Sequence, residues 1–414
     1  MWKAALLVSG FVLLLGSGCG GGDGSKGDSS AGTHSNKDGE QATKADLDAA
    51  LKKSFEESDA PGVIAAVQTP DFTWVQARGV ADRASGRPMT PEMHHRIGSV
   101  TKTFTATLLL KAADEGLLSL DDTIDQYIKG VPNGDEITLR QMSDMTSGIA
   151  SYTESEQWVK EWSSDPTRVW KPEDLARFGI EESPLFKPGK EWFYSNTNYV
   201  LLGLVLQQVT GKPIEQLYEE EIIRPLHLTE TSFPGTSSAI PEPYDNGYTL
   251  QGKSSGQKPI DSTHWNPSEA WTAGEMISTV GDLLVYGRAL GTGKSLLSSQ
   301  TQSERLDSFV SDVPPLNQPA LKGDLAYSIG LGKDHGWVGH NGEIPGYNTY
   351  LFYNPDLDAV VVVLVNSDIS SGKCPKDVPI MKEWPRTVPC ELPADRIFEA
   401  LAEALGKPSP SPPE

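Results

Sequence analysis

Cysteine is scarce, with three in 414 residues, and no Cys-x-x-Cys occurs. That leaves no local thiol-redox pair and no cysteine zinc site. Positive charge is short as well: Lys and Arg total 35 against 56 Asp and Glu, a net charge of −21. A nucleic-acid binder needs cations to displace phosphate counterions, so this balance disfavours a nucleic-acid partner. No apolar run is long enough to cross a bilayer as a helix. No Gly-x-Ser-x-Gly is present, which disfavours the nucleophile elbow of α/β-hydrolases. Gly293-Lys294-Ser295 resembles the end of a phosphate loop, but the residue five places before Gly293 is Arg288. Gly330, Gly332 and Gly336 miss the dinucleotide-binding spacing. His94-His95 lacks the Glu-x-x-His context of a zinc site, and no internal repeat is visible.

The two ends are unfit for packing. Ala4 to Leu15 is mostly apolar, follows the single charge of Lys3, and has the length of the hydrophobic part of a secretory signal. Gly16, Ser17 and Gly18 precede Cys19. A Cys directly after small residues resembles a bacterial lipoprotein cleavage site, although Leu15 stands one place earlier than the usual apolar residue. Plain secretion is the alternative, since Gly16 and Gly18 also suit an ordinary signal peptidase. On either reading the protein is exported, and residues 1–18 are a signal peptide. Residues 19–44 would be a lipid-bearing Cys19 and a polar tether, too poor in apolar side chains to offset ordering entropy. Residues 406–414 are a Pro-rich tail. The folding unit is expected over 45–405. Outside the reducing cytosol, Cys374 and Cys390 are expected to pair as a disulfide.

Two strands are expected at 63–69 and 72–81, joined by Pro70-Asp71. Ser99 to about Leu118 reads as a helix that is apolar nearly all round, hence buried. Further helices are expected at Asn196–Val209, Pro213–Ile223 and Ser278–Leu290. Strand patterns return at Leu325–Leu331, Gly336–His340, Tyr347–Tyr353 and Ala359–Val365. Strands at both ends with helices between them predict an α+β fold. Its antiparallel sheet would be built from both chain ends and flanked by helices, with a mostly helical middle region.

Ser99-Val100-Thr101-Lys102 carries the first chemistry. Residues three apart share a helix face, so the hydroxyl and amine would meet at a helix N-terminus. A Ser beside a base is an activated nucleophile, and the helix N-terminus suits a developing oxyanion. Ser255 to Lys258 and Ser370 to Lys373 match the same spacing in polar, loop-like sequence. Tyr194-Ser195-Asn196 supplies a phenol and an amide. A Lys ammonium beside the phenol would lower its pKa and let it relay a proton. Tyr244-Asp245-Asn246 repeats that pattern. His340-Asn341-Gly342 stands at the end of an expected strand, where Gly lets a ligand lie close.

These three elements, in this order, resemble the serine β-lactamase and D-alanyl-D-alanine carboxypeptidase family, the penicillin-recognising serine hydrolases. The likeness is greatest to the class C β-lactamase and DD-peptidase branch. Flanking blocks extend it: MHHRIGSVTKTFTATLLLKAADEGLLSLDDTI, ITLRQMSDMTSGI, PGKEWFYSNTNYVLLGLVLQQVTGKP, AGEMISTVGDLLVYGRAL and GHNGEIPGYNTYLFYNPDLDAVVVVLVN. The resemblance implies the β-lactamase/transpeptidase-like fold and an acyl-enzyme on Ser99. Lys102 would orient and deprotonate Ser99, and Tyr194 would serve the leaving group. Asn196 would hold Lys102 and the substrate amide. His340, Asn341 and Gly342 would bind substrate, and the backbone N–H groups of Ser99 and Glu343 would form the oxyanion hole.

His340 stands where relatives carry Lys or His, and with an unperturbed pKa near 6.5 it would be only partly charged at neutrality. Asn341 replaces a hydroxyl. Both departures favour a DD-carboxypeptidase or esterase over an efficient β-lactamase. Met145 replaces the usual His before Thr-Ser-Gly and reads as a packing position. Trp192, Trp265 and Trp271 read as core aromatics before cleft walls. The expected partner is a small-molecule or peptide substrate, cell-wall peptides among them, with a membrane reached through the lipid anchor. Ser/Lys/Tyr chemistry needs no metal or organic cofactor. The competing class is a catalytically silent cell-surface protein that binds wall peptides or β-lactams.

Overall fold

The computed structural model describes residues 42–253, 257–310, 313–316, 325–374, 378, 380 and 389–408. The signal peptide, Cys19, nearly all of the tether and the end of the Pro-rich tail lie outside the described residues.

Alternation along the first long strand sets the layers. In Gly62–Gln68, Val63, Ala65 and Val67 face one apolar cluster while Ile64 and Ala66 face another. Ala359–Val365 does the same, with Val361, Val363 and Val365 on one side and Val360, Val362 and Leu364 on the other. A strand buried on both faces reads as a continuous apolar run. The two pair antiparallel, Val63 opposite Val365, so the chain ends meet in mid-sheet. Across the eight-stranded sheet the order is Arg87–Pro88, Thr73–Asp82, Gly62–Gln68, Ala359–Val365, Tyr347–Asn354, Trp337–Ile344, Gly332–Asp334 and Ala326–Tyr327. The fold is therefore α+β, with the sheet assembled from both termini.

Two terminal helices cover the outer face. Lys44–Ser58 opens on a capping box in which the Thr43 side chain and Asp46 satisfy each other's backbone N–H groups. Pro393–Ala404 opens on Pro, whose missing N–H needs no partner in the first turn. Leu47, Leu51, Ile397, Phe398 and Leu401 pack there against Trp337, Tyr350 and Phe352. Burying each such side chain contributes about 1.5–3 kcal/mol. The Cys374–Cys390 disulfide lies just before the second of these helices.

The helical region covers the inner face, with Thr101–Asp114 at its centre. Its apolar residues point all round, and its hydroxyls are satisfied. Thr105 Oγ1 meets Tyr218 OH at 2.7 Å, and Thr103 Oγ1 meets Tyr286 OH at 2.9 Å. Some boundaries differ from expectation. Ser99 sits on a separate 3-10 turn, Gly98–Val100, before the helix proper. The strand expected at Leu325–Leu331 breaks, because Gly330 turns at φ +67 and packs against Ala106 of the buried helix. Pro213–Ile223 divides into the helix Ile214–Tyr218 and a wider π turn, Glu219–Ile223. Trp337–Ile344 continues past His340 and carries Asn341 and Gly342 within the strand.

Candidate active site

Ser99 and Lys102 follow each other on the turn and first helical residues, one turn apart. Lys102 Nζ lies 2.9 Å from Ser99 Oγ and donates to the Ala273 carbonyl at 2.7 Å. The side chain is fully buried. Burial pushes its pKa well below the ordinary lysine range, against the weaker pull of the Glu269 carboxyl. The amine is thereby moved toward its neutral, proton-accepting form. Asn196 does not hold it: the Asn196 amide donates to Thr153 Oγ1 at 3.3 Å, and the Ala273 carbonyl takes the place expected for it.

Tyr194 arrives just before the helix Asn196–Thr210. Its ring centroid lies 4.9 Å from Lys102 Nζ. The phenol faces Ser99, yet its buried hydroxyl makes no well-formed hydrogen bond with a described residue. Burial drives the phenol pKa up, and the interaction with Ser99 opposes this only in part. The lowering expected from Lys102 is outweighed by burial of the phenol. Tyr194 is thus held as a protonated phenol, suited to donating a proton. Met145 packs beneath, its Sδ accepting the Ser195 N–H at 3.4 Å, in keeping with a packing role.

The strand Trp337–Ile344 passes against the Ser99 turn so closely that glycine is required on both sides. Gly98 has φ +52, and a Cβ there would lie 2.6 Å from the Glu343 nitrogen. A Cβ on Gly342 would lie 2.0 Å from the Ile97 carbonyl and 3.2 Å from the Ser99 nitrogen. The backbone nitrogens of Ser99 and Glu343 therefore both lie at this contact between turn and strand. Two converging N–H groups suit a developing oxyanion.

His340 is placed differently from a substrate anchor. It is buried, with Nδ1 against the Asn341 carbonyl and Nε2 2.9 Å from Tyr327 OH. A carbonyl only accepts, so Nδ1 carries the proton and Nε2 accepts from the tyrosine. Burial, and next the nearby Lys102, lower its pKa to about 3. His340 is therefore neutral rather than partly charged at pH 7. His340, Asn341 and Gly342 do not line the cleft, whereas Glu343 does.

The cleft opens onto Ser99, Tyr194 and Asn196. Its other walls carry no motif that sequence alone would flag: Tyr152, Trp158, Trp162, Gln251 and Glu269. Trp192 and Trp271 are core residues, as expected, and Trp265 leans edge-on against Trp162 at 5.6 Å. Tyr194, Ser99 and Lys102 converge, while the second Tyr-x-Asn does not join them. Its Asp245 is instead buried against His95 Nδ1 at 2.8 Å. Among the described residues no cluster of ligating side chains could hold a metal ion.

A serine, a buried lysine and a tyrosine in one cleft, beneath a sheet formed by both chain ends, define the penicillin-recognising class of serine hydrolases. The chain belongs to the Beta-lactamase family, whose model matches residues 47–378. It is 31% identical over 296 residues to Protein flp of Staphylococcus aureus (strain COL), covering 69% of this chain and 55% of that protein. The chain thus spans about half the length of the curated relatives it matches. Among solved structures, the D-stereospecific amidohydrolase from Streptomyces sp. superposes with a TM-score of 0.71 at 33% identity, covering 79% of this chain and 95% of the other. The D-amino acid amidase from Ochrobactrum anthropi SV3 gives 0.70 at 26% identity, covering 87% and 99%.

Proposed function

We propose that the protein is an exported serine hydrolase that cleaves small amides or esters through an acyl-enzyme on Ser99. The observation that carries this reading is the 2.9 Å contact between Ser99 Oγ and a lysine amine moved toward neutrality by burial. Ser99 Oγ attacks the substrate carbonyl carbon as its proton passes to Lys102 Nζ. The resulting oxyanion is stabilised by the N–H groups of Ser99 and Glu343. Tyr194 protonates the leaving amine or alcohol and recovers its proton through Lys102. Asn196 orients the substrate amide. Water then repeats the attack on the ester carbonyl, releasing the acid and restoring Ser99.

Amide or ester cleavage is favoured over carboxypeptidase or β-lactamase action. Those substrates present a carboxylate, and no accessible cation lines the cleft among the described residues. The D-aminoacyl substrates named for the amidase neighbours make D-aminoacyl amides the first compounds to assay. Export and lipid anchoring rest on the leader pattern before Cys19, supported by the Cys374–Cys390 disulfide. Radiolabelled palmitate should be incorporated by the wild type and not by Cys19→Ala.

The test of the enzymatic reading is intact-mass analysis after a fluorophosphonate, with turnover of an amide, an ester and nitrocefin measured in parallel. A single adduct that is lost in Ser99→Ala, with amide or ester turnover, is expected. Saturable ligand binding with neither adduct nor turnover would assign the protein to the silent binding class.

A further inference from the structure

We infer that the cleft selects substrates with a cationic group beside the scissile carbonyl, as in aminoacyl amides or esters with a free α-amino group, and that Glu269 receives that ammonium. This rests on the acyl-transfer reading above and names its substrate class.

Glu269 lines the cleft and is only 8% exposed. Its backbone is fixed, because Tyr152 OH donates to the Glu269 carbonyl oxygen at 2.6 Å. Its side-chain carboxyl makes no hydrogen bond or ion pair with a described residue. Its oxygens are open to the cleft, where a ligand donor can satisfy them. Burial holds its pKa up at about 8, against the opposing pull of Arg96 and Lys102. An ammonium at contact distance favours the ionised form.

The walls fit the same ligand. Tyr152 and Trp158 meet edge to face at 5.3 Å, and Trp158 stacks on Trp162 at 5.5 Å. All three line the cleft beside Glu269. Aromatic rings stabilise a nearby cation and accept an apolar side chain. The other carboxyl of the cleft, Glu343, is already engaged, with Gln251 Nε2 3.1 Å from its Oε1.

No cationic side chain lines the cleft among the described residues. Lys102 is bound to Ser99 and Ala273. His340 is neutral and turned to Tyr327. Arg96 is buried and gives its Nη2 to the carbonyls of Ser238 and Thr263, its Nε and Nη1 have no hydrogen-bond partner among the described residues, and it does not line the cleft. Among the described residues, a substrate carboxylate in the cleft would therefore meet two carboxyl groups and no cation lining the walls, whereas an ammonium meets acceptors and ring faces.

The experiment compares kcat/KM for D-phenylalanine p-nitroanilide and its N-acetyl derivative, in wild type, Glu269→Gln and Glu269→Asp, with fluorophosphonate labelling of Ser99 alongside. The wild type should favour the free amine by at least about tenfold, one charged contact. Glu269→Gln should bring the ratio near unity, and Glu269→Asp should restore part of it. Equal or faster turnover of the N-acetyl compound by the wild type overturns the inference, as does an undiminished ratio in Glu269→Gln. If Glu269→Gln does not fold, the wild-type ratio decides. Labelling at Ser99 without a free-amine preference sinks this inference alone. No labelling and no turnover sinks the acyl-transfer reading and this inference with it.

Discussion

Lys102 Nζ sits 2.9 Å from Ser99 Oγ, and its other hydrogen-bond partner is the Ala273 carbonyl, not a carboxylate. A carboxylate in contact would have kept the amine charged. A carbonyl and a hydroxyl stabilise the ammonium far less, so desolvation wins and the pKa falls well below 10.5. The amine is therefore a better proton acceptor near neutrality than an ordinary lysine. The rising limb of kcat/KM against pH is expected well below the ordinary lysine pKa. Lys102→Arg keeps the charge but cannot release its proton, and should slow Ser99 acylation by roughly 10²–10⁴-fold. Rapid-mixing kinetics with a chromogenic ester would measure this, and an arginine variant acylating at the wild-type rate would exclude Lys102 as the base.

His340 supplies a second test. Its ring is held neutral between Tyr327 and the Asn341 carbonyl, with a pKa lowered to about 3. Nitrogen-15 NMR of the imidazole should show no titration between pH 5 and 8. An ordinary curve centred near 6.5 would contradict the buried, neutral assignment. Replacing the ring by Ala leaves the Tyr327 hydroxyl without its acceptor, which should destabilise the fold by about 1–3 kcal/mol in urea titrations.

The two facing glycines are expected to tolerate nothing larger. Gly98→Ala introduces a carbon 2.6 Å from the Glu343 nitrogen at a positive φ, and Gly342→Ala introduces one 2.0 Å from the Ile97 carbonyl. Either change must push the strand away from the Ser99 turn and separate the two N–H groups. A fall of roughly 10²–10³ in kcat is expected, the scale of losing one oxyanion donor. Far-UV circular dichroism would report whether the fold survives. Wild-type turnover in both variants would remove these nitrogens from the mechanism.

The buried acids should take stability away on the alkaline side. Burial raises the carboxyl pKa of Glu269 to about 8 and of Asp395 to about 7. A raised carboxyl binds a proton in the folded state that the unfolded chain has released, so its contribution is full below pH 4 and is lost as pH rises through the folded value. His340 acts in the opposite direction, but only between about pH 3 and 6.5. Between pH 6.5 and 8.5 the lowered pKa of the buried Lys102 amine works against the acids, and Glu269 by itself should cost about 2 kcal/mol. Over that interval the Tm of the wild type should drop relative to that of Glu269→Gln. Parallel Tm profiles for the two proteins would contradict the Glu269 assignment.

Alternating and continuous apolar runs made the sheet readable. Ala359–Val365 matches the expected span residue for residue, because seven apolar residues bounded by turn formers have few other ways to be buried. The helices over the outer face were not individually foreseen. Lys44–Ser58 and Pro393–Ala404 carry narrow apolar stripes among many charges, and only the sheet they cover makes those stripes necessary. The nucleophile, amine and phenol were readable because fixed spacing on a turn and at a helix start limits where such groups can sit.

The linear order of residues by itself determined the family, the sheet drawn from both ends, and the pairing of Ser99 with Lys102, since three-residue spacing on one helical turn is local geometry. Tertiary structure alone decided the charge of each group. His340 became neutral, Tyr194 stayed a phenol and Lys102 had its proton affinity lowered because each was packed about by residues distant in the chain. Glu269 and the Tyr152, Trp158 and Trp162 wall entered the cleft the same way. Desolvation depends on everything packed around a group, and that surrounding exists only once the fold has closed.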